Sequence, residues 1–71
     1  MKSNPAKLFG QRIRDLRERQ GLSQEAFADK VGLDRTYISG IERGTRNPTL
    51  LTMQRLAKGL SVSIEQLVKG I

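Results

Sequence analysis

Apolar side chains recur every three or four residues along this chain, and no stretch alternates apolar with polar in the manner of a strand. Leu8 or Phe9, Ile13 and Leu16 set the first such stripe, behind a Pro5 suited to an opening helical turn. Gly21 stops that helix. Ser23 is the N-cap of a second, with Glu25 in its positive first turn; it should run to about Lys30 and bury Ala26, Phe27 and Val31. Gly32 breaks the pattern, Asp34 caps a third helix that turns Ile38 and Ile41 inward, and Gly44 ends it. Asn47-Pro48 marks a loop, after which Thr49 caps a fourth helix on Leu50, Met53, Leu56, Ala57 and Leu60. Ser63 with Gln66 forms a capping box for a short fifth helix carrying Leu67 and Val68. Met1 to Asn4 is a polar start without pattern. The expected fold class is all-α, a compact bundle of five short helices.

Composition narrows the picture. Seventy-one residues make one small domain, residues 1–71, and the 4% aromatic content leaves the core to aliphatic side chains. A core that small is marginal alone and gains from a partner subunit. Cysteine and histidine are both absent, which excludes disulfides, ordinary zinc sites and histidine-based catalysis. The seven carboxylates fall mostly at caps and helix pairs, and no glycine-rich phosphate loop is present, so neither an enzyme nor a cofactor is expected. No apolar run approaches the roughly 20 residues of a spanning helix, and the start lacks a signal peptide's apolar core, so the expected location is cytoplasmic. The net charge of +6 favours a polyanionic partner, nucleic acid before an acidic membrane or protein.

The second and third helices meet across a very short joint, Val31-Gly32-Leu33, which is the pattern of a helix-turn-helix over about residues 23–43. A helix that only filled a core would not gather Asp34, Arg35, Thr36, Tyr37 and Ser39 near its start. A helix entering a DNA major groove about 12 Å wide needs such groups on its outer side. Arg35 suits bidentate bonding to guanine, and Thr36 offers a hydroxyl and a methyl, so these two are the candidate base contacts. Gly40 either lets DNA come close or reads nothing. Gln24, at the start of the second helix, and Tyr37, Ser39, Arg43, Arg46 and Asn47 are placed for phosphates. Tyr37 is also readable as a half-buried packing residue, and Ser39 as a plain surface serine. Arg12, Arg14, Arg17 and Arg19 read as a solvated face broken by Asp15 and Glu18, with Arg14 and Glu18 pairing along the helix.

The segment GLSQEAFADKVGLDRTYISGIERGTRNPTL resembles the Xre/Cro-type helix-turn-helix family of phage repressors, Cro proteins and restriction–modification controller proteins. The likeness rests on LSQE, the VG turn, YISGIERG and RNPTL, and spans about residues 9 to 68. It implies a lambda repressor-like five-helix DNA-binding domain, working as a homodimer on a pseudo-palindromic, double-stranded DNA operator. It also implies a structural ion pair, Arg17 with Glu42, and DNA contacts at the base and phosphate positions just named. Position 40 often carries a long polar side chain in related repressors, and glycine here shifts specificity toward Arg35, Thr36 and DNA deformability. Leu51 stands where many relatives are charged. With Leu50 filling the core register, Leu51 is surplus apolar surface; with Ile64 and Val68 it points to a dimer interface on helices four and five, about residues 49–69.

The resulting expectation is an autoregulatory transcriptional regulator, bacterial or phage-encoded, without metal or cofactor, with RNA polymerase as a possible contact. Within that class the DRTYISGIER segment is most like a controller protein, and a stand-alone phage-type repressor remains an alternative. The rival from another class is an antitoxin-like protein-interaction module on the same fold.

Overall fold

The computed structural model describes residues 4–71; Met1 to Ser3 of the polar start lie outside it. Five helices follow in order: α1 (Pro5–Arg19), α2 (Gln24–Val31), α3 (Arg35–Arg43), α4 (Leu50–Leu60) and α5 (Ile64–Val68). Every start is capped by a side chain. Asn4 accepts from Ala6 N–H, Ser23 from Ala26, Asp34 from Thr36, Thr49 from Thr52 and Ser63 from Gln66, the last as a full capping box. Asn4 is therefore the first cap of the bundle, although no apolar pattern marks it.

Four helix ends close in one way. The backbone N–H of Leu22, Leu33, Thr45 and Val62 each reaches back to the carbonyl of Arg17, Ala28, Gly40 and Ala57. The residue before each lies in the left-handed region: Gly21, Gly32, Gly44 and, against expectation for an L side chain, Ser61 with φ 58°. Leu22, Leu33 and Val62 then fold back onto the core, so each turn is fixed by a hydrogen bond and a packing contact at once.

The core is Phe9, Ile13, Phe27, Ala28, Val31, Ile38, Ile41, Leu56, Ala57, Leu60 and Leu67. The stripe on α1 uses Phe9 rather than Leu8, which is 41% exposed. On α2 the buried alanine is Ala28, not Ala26: the inward arc runs through Phe27, Ala28 and Val31, and Ala26 lies behind it. Leu50 does not fill the core, being 63% exposed. Its spacing from Met53 and Ala57 is correct for the inner stripe, and Met53 packs on the core, but Leu50 at the very start of α4 stays outside it. Gly10 lets α1 lie directly on α3, since a Cβ there would strike the Ile41 and Glu42 carbonyl oxygens.

The basic face of α1 is only partly solvated. Arg14 pairs with Glu18 at 3.3 Å, as their spacing predicts. Arg12, expected in solvent, donates to the carbonyls of Gln66 and Lys69 at 2.7 and 2.8 Å and holds the end of α5 against α1. Gln20 donates to Leu60 O at 2.8 Å and ties the end of α1 to the end of α4. Such contacts span most of the chain, so no local pattern predicts them.

Candidate nucleic-acid interface

The site is built on α3. Ile38 and Ile41 are fully buried and fix one side of this nine-residue helix to the core. The opposite side then has to face outward. Arg35 and Thr36 stand exposed in its first turn, Ser39 is half-buried one turn on, and Arg43 is exposed in the last. The spacing of Arg35, Thr36, Ser39 and Arg43 places them on one arc. Asp34 accepts the Thr36 N–H at 2.7 Å, so the carboxylate that starts the helix bonds inward to the backbone beside Arg35.

Beneath this surface lies the Arg17–Glu42 pair. Arg17 Nε and Nη2 donate to Glu42 Oε2 and Oε1 at 2.7 and 3.0 Å, a fork-to-fork geometry between α1 and α3. Arg17 Nη1 donates to Leu22 O at 2.7 Å, in the joint that leads into α2. Both side chains are buried, and no buried side-chain polar atom among the described residues lacks a partner. Hydrogen bonding to Glu42 raises the Arg17 pKa above its ordinary value; burial opposes the shift and the carboxylate's charge adds to it. One salt-bridged cluster thus ties α1, the start of α2 and the end of α3 into a fixed angle.

Gln24 belongs to the same cluster. Its amide donates to Glu42 Oε1 at 3.0 Å, so at least one of its donors points inward rather than to the surface. The first N–H groups of α2 remain the outward-facing donors at that end, as at any helix start.

The loop after α3 supplies the rest. Arg46 and Asn47 are exposed, and the Arg46 guanidinium lies over the half-buried Tyr37 ring at 5.7 Å from its centre. Arg43 Nε bonds back to Ser39 O at 3.3 Å. Among the described residues neither Arg35, Arg43 nor Arg46 has a carboxylate partner, so the surface carries uncompensated positive charge. Gly40 is buried, with Arg46 and Thr45 lying where its side chain would be, so its backbone is not open surface in the free protein. Thr45 was not singled out by its type or spacing; its hydroxyl donates to Gly40 O at 3.2 Å.

The residues expected at a subunit contact stand apart from α3 in sequence. Leu51 and Val68 are 66% and 38% exposed, while Ile64 is half-buried and packs on the core. Leu50, expected in the core, is exposed beside Leu51. Among the described residues no cluster of histidine, cysteine or carboxylate is arranged to hold a metal ion, and no helix is long and apolar enough to cross a membrane.

Residues 13–67 match the helix-turn-helix family. The control protein C.BamHI of Bacillus amyloliquefaciens is 44% identical over 69 residues, covering 96% of this chain and 85% of its own. Among solved structures, the restriction–modification controller protein C.AhdI of Aeromonas hydrophila superposes with a TM-score of 0.85 at 47% identity, over 87% of this chain and 94% of that one. A tetramer of the controller protein C.Esp1396I in complex with its natural 35 base-pair operator gives a TM-score of 0.79 at 38% identity, over 96% of this chain and all of that one.

Proposed function

This chain belongs to the helix-turn-helix family, and from that membership we propose that it is a sequence-specific DNA-binding transcriptional regulator. The observation that carries the reading is the outward arc of α3, a polar and cationic helix face held rigid by Ile38, Ile41 and the Arg17–Glu42 pair. Rigid placement matters because base-edge hydrogen bonds tolerate little misalignment. Arg35 and Thr36 read bases. Tyr37, Ser39, Arg43, Arg46, Asn47 and the start of α2 at Gln24 hold phosphates, supplying the salt-dependent share of affinity and fixing register.

One protomer has one such helix, so a pseudo-palindromic operator needs two copies with their α3 helices about 34 Å apart. The exposed Leu50, Leu51 and Val68 supply apolar surface for that pairing, with Ile64 at its edge. Occupancy of a promoter then regulates it, by excluding RNA polymerase or by standing beside it. Autoregulation in the manner of a restriction–modification controller fits the relatives best.

Selection from a pool of random duplexes, at near-physiological salt, tests it. The expected product is one consensus with two inverted half-sites about one helical turn apart. Recovery of unrelated sequences would leave only charge attraction and sink the reading.

A further inference from the structure

Thr36, Gly40 and Arg43 are spaced four and three residues apart, so they fall along one outward stripe of α3. Thr36 and Arg43 are exposed, yet Gly40 between them is buried. What covers it comes from the loop beyond the helix. A Cβ built at position 40 would stand 2.6 Å from Arg46 Cγ and 3.5 Å from Thr45 Oγ1. The loop is pinned there by its own backbone, since the Thr45 N–H donates to Gly40 O at 2.9 Å. Beyond the glycine, the Arg46 guanidinium reaches the Tyr37 ring.

Nothing in the backbone asks for glycine at this position. Gly40 is not among the positive-φ glycines, and a glycine inside a helix is disfavoured relative to alanine. Gly10 is the contrast: there the obstruction is backbone carbonyl, which cannot move aside. At Gly40 the obstruction closest to a Cβ is Arg46 Cγ, part of an exposed side chain rather than of the backbone.

We propose that Gly40 is a positioning residue whose missing side chain opens a seat for Arg46. The Arg46 Cγ stands in the place that a side chain at position 40 would take, and its guanidinium is held at the far end by Tyr37. A loop cation thereby becomes part of the face that the recognition helix presents to DNA. The grip on the operator backbone at that point depends on two positions six apart in sequence, and a residue with a Cβ at position 40 displaces the loop cation. The proposal rests on the reading of Arg46 as a DNA contact.

The test compares Gly40→Ala, Arg46→Ala and the double variant, each titrated with the duplex selected by the wild-type protein. Gly40→Ala should melt close to the wild-type temperature, because the helix-favouring alanine offsets the cost of turning Arg46 about its first side-chain bond to make room. It should nevertheless bind about tenfold or more weakly, as should Arg46→Ala, with the double variant little worse than either. Losses that multiply in the double variant, wild-type binding by Gly40→Ala, or a Gly40→Ala melt well below the wild type would each overturn the proposal. NMR of the free protein separates it from the DNA reading. The Arg46 side-chain protons should carry an upfield shift from the Tyr37 ring, lost in Gly40→Ala. If Arg46→Ala leaves DNA binding intact, the DNA role of Arg46 falls while loss of that shift still supports the seat; a shift that persists in Gly40→Ala removes the seat itself.

Discussion

Glu42 accepts from Arg17 Nε, Arg17 Nη2 and Gln24 Nε2, and each donor comes from outside its own helix. Removing it leaves a buried guanidinium without its counter-charge, at a cost of about 3–5 kcal/mol. Glu42→Ala should therefore lower the urea midpoint sharply, while whatever fraction stays folded binds DNA nearly as before; a melting curve matching the wild type would refute the pair's structural role. The pH dependence follows from the raised pKa of Arg17. A cation whose folded pKa is raised contributes stability that is complete below its unfolded pKa and fades only as pH climbs through the folded one. That window is far above neutral, so the Arg17 side of the pair contributes no change in stability between mildly acidic and mildly alkaline pH. Arg35 is the opposite case, exposed and without an ion-pair partner among the described residues. Arg35→Ala should leave the melt unchanged, weaken operator binding by about 1–3 kcal/mol and relax preference at one base position per half-site. Equal losses on operator and scrambled duplex would show that it serves phosphates only.

At the scale of the helix, starts and stops carry much of the order. Three of the four back-folded helix ends use glycine at the left-handed position, and α4 uses Ser61. The left-handed region costs an L side chain about 1–2 kcal/mol, partly offset in a glycine variant by its freer unfolded chain. Ser61→Gly is thus expected to stabilise the fold by about 0.5 kcal/mol, read as a small rise in melting temperature; a fall would mean the Ser61 side chain makes a contribution its backbone strain conceals. The same accounting explains α5, only five residues long and too short to persist alone. Its capping box secures one end, Leu67 anchors its middle in the core, and Arg12 binds the carbonyls at the other end.

At the scale of the molecule, one protomer measures 35 × 23 × 23 Å and carries one recognition helix. On the proposed function, binding two successive major grooves takes two protomers. Leu50 and Leu51 are each more than three-fifths exposed and contribute little to the folded monomer, so replacing both with lysine should change its melt by no more than about 1 kcal/mol. Burying a leucine in an interface is worth about 1.5–3 kcal/mol, so the same variant should dissociate at concentrations where the wild type sediments as a dimer. Operator affinity should fall with it. A double lysine variant that remains dimeric would place the interface elsewhere on the protein.

The helices were legible in the sequence because their causes are local. Caps such as Ser23, Asp34 and Thr49, stops such as Gly32 and Gly44, and stripes such as Ile38 with Ile41 act within a turn or two of themselves. The outward placement of Arg35 and Thr36 followed from the same periodicity. The Arg17–Glu42 pair was reachable only through family resemblance, since nothing in either residue's own neighbourhood names a partner 25 positions away. Tertiary structure alone decided the remainder. It committed a Gln24 donor to Glu42, sent Arg12 to the end of α5, left Leu50 uncovered and laid Arg46 across Gly40. Each depends on which surface another helix or loop brings alongside, and hydrophobic spacing fixes only the face a residue occupies, not what arrives to meet it.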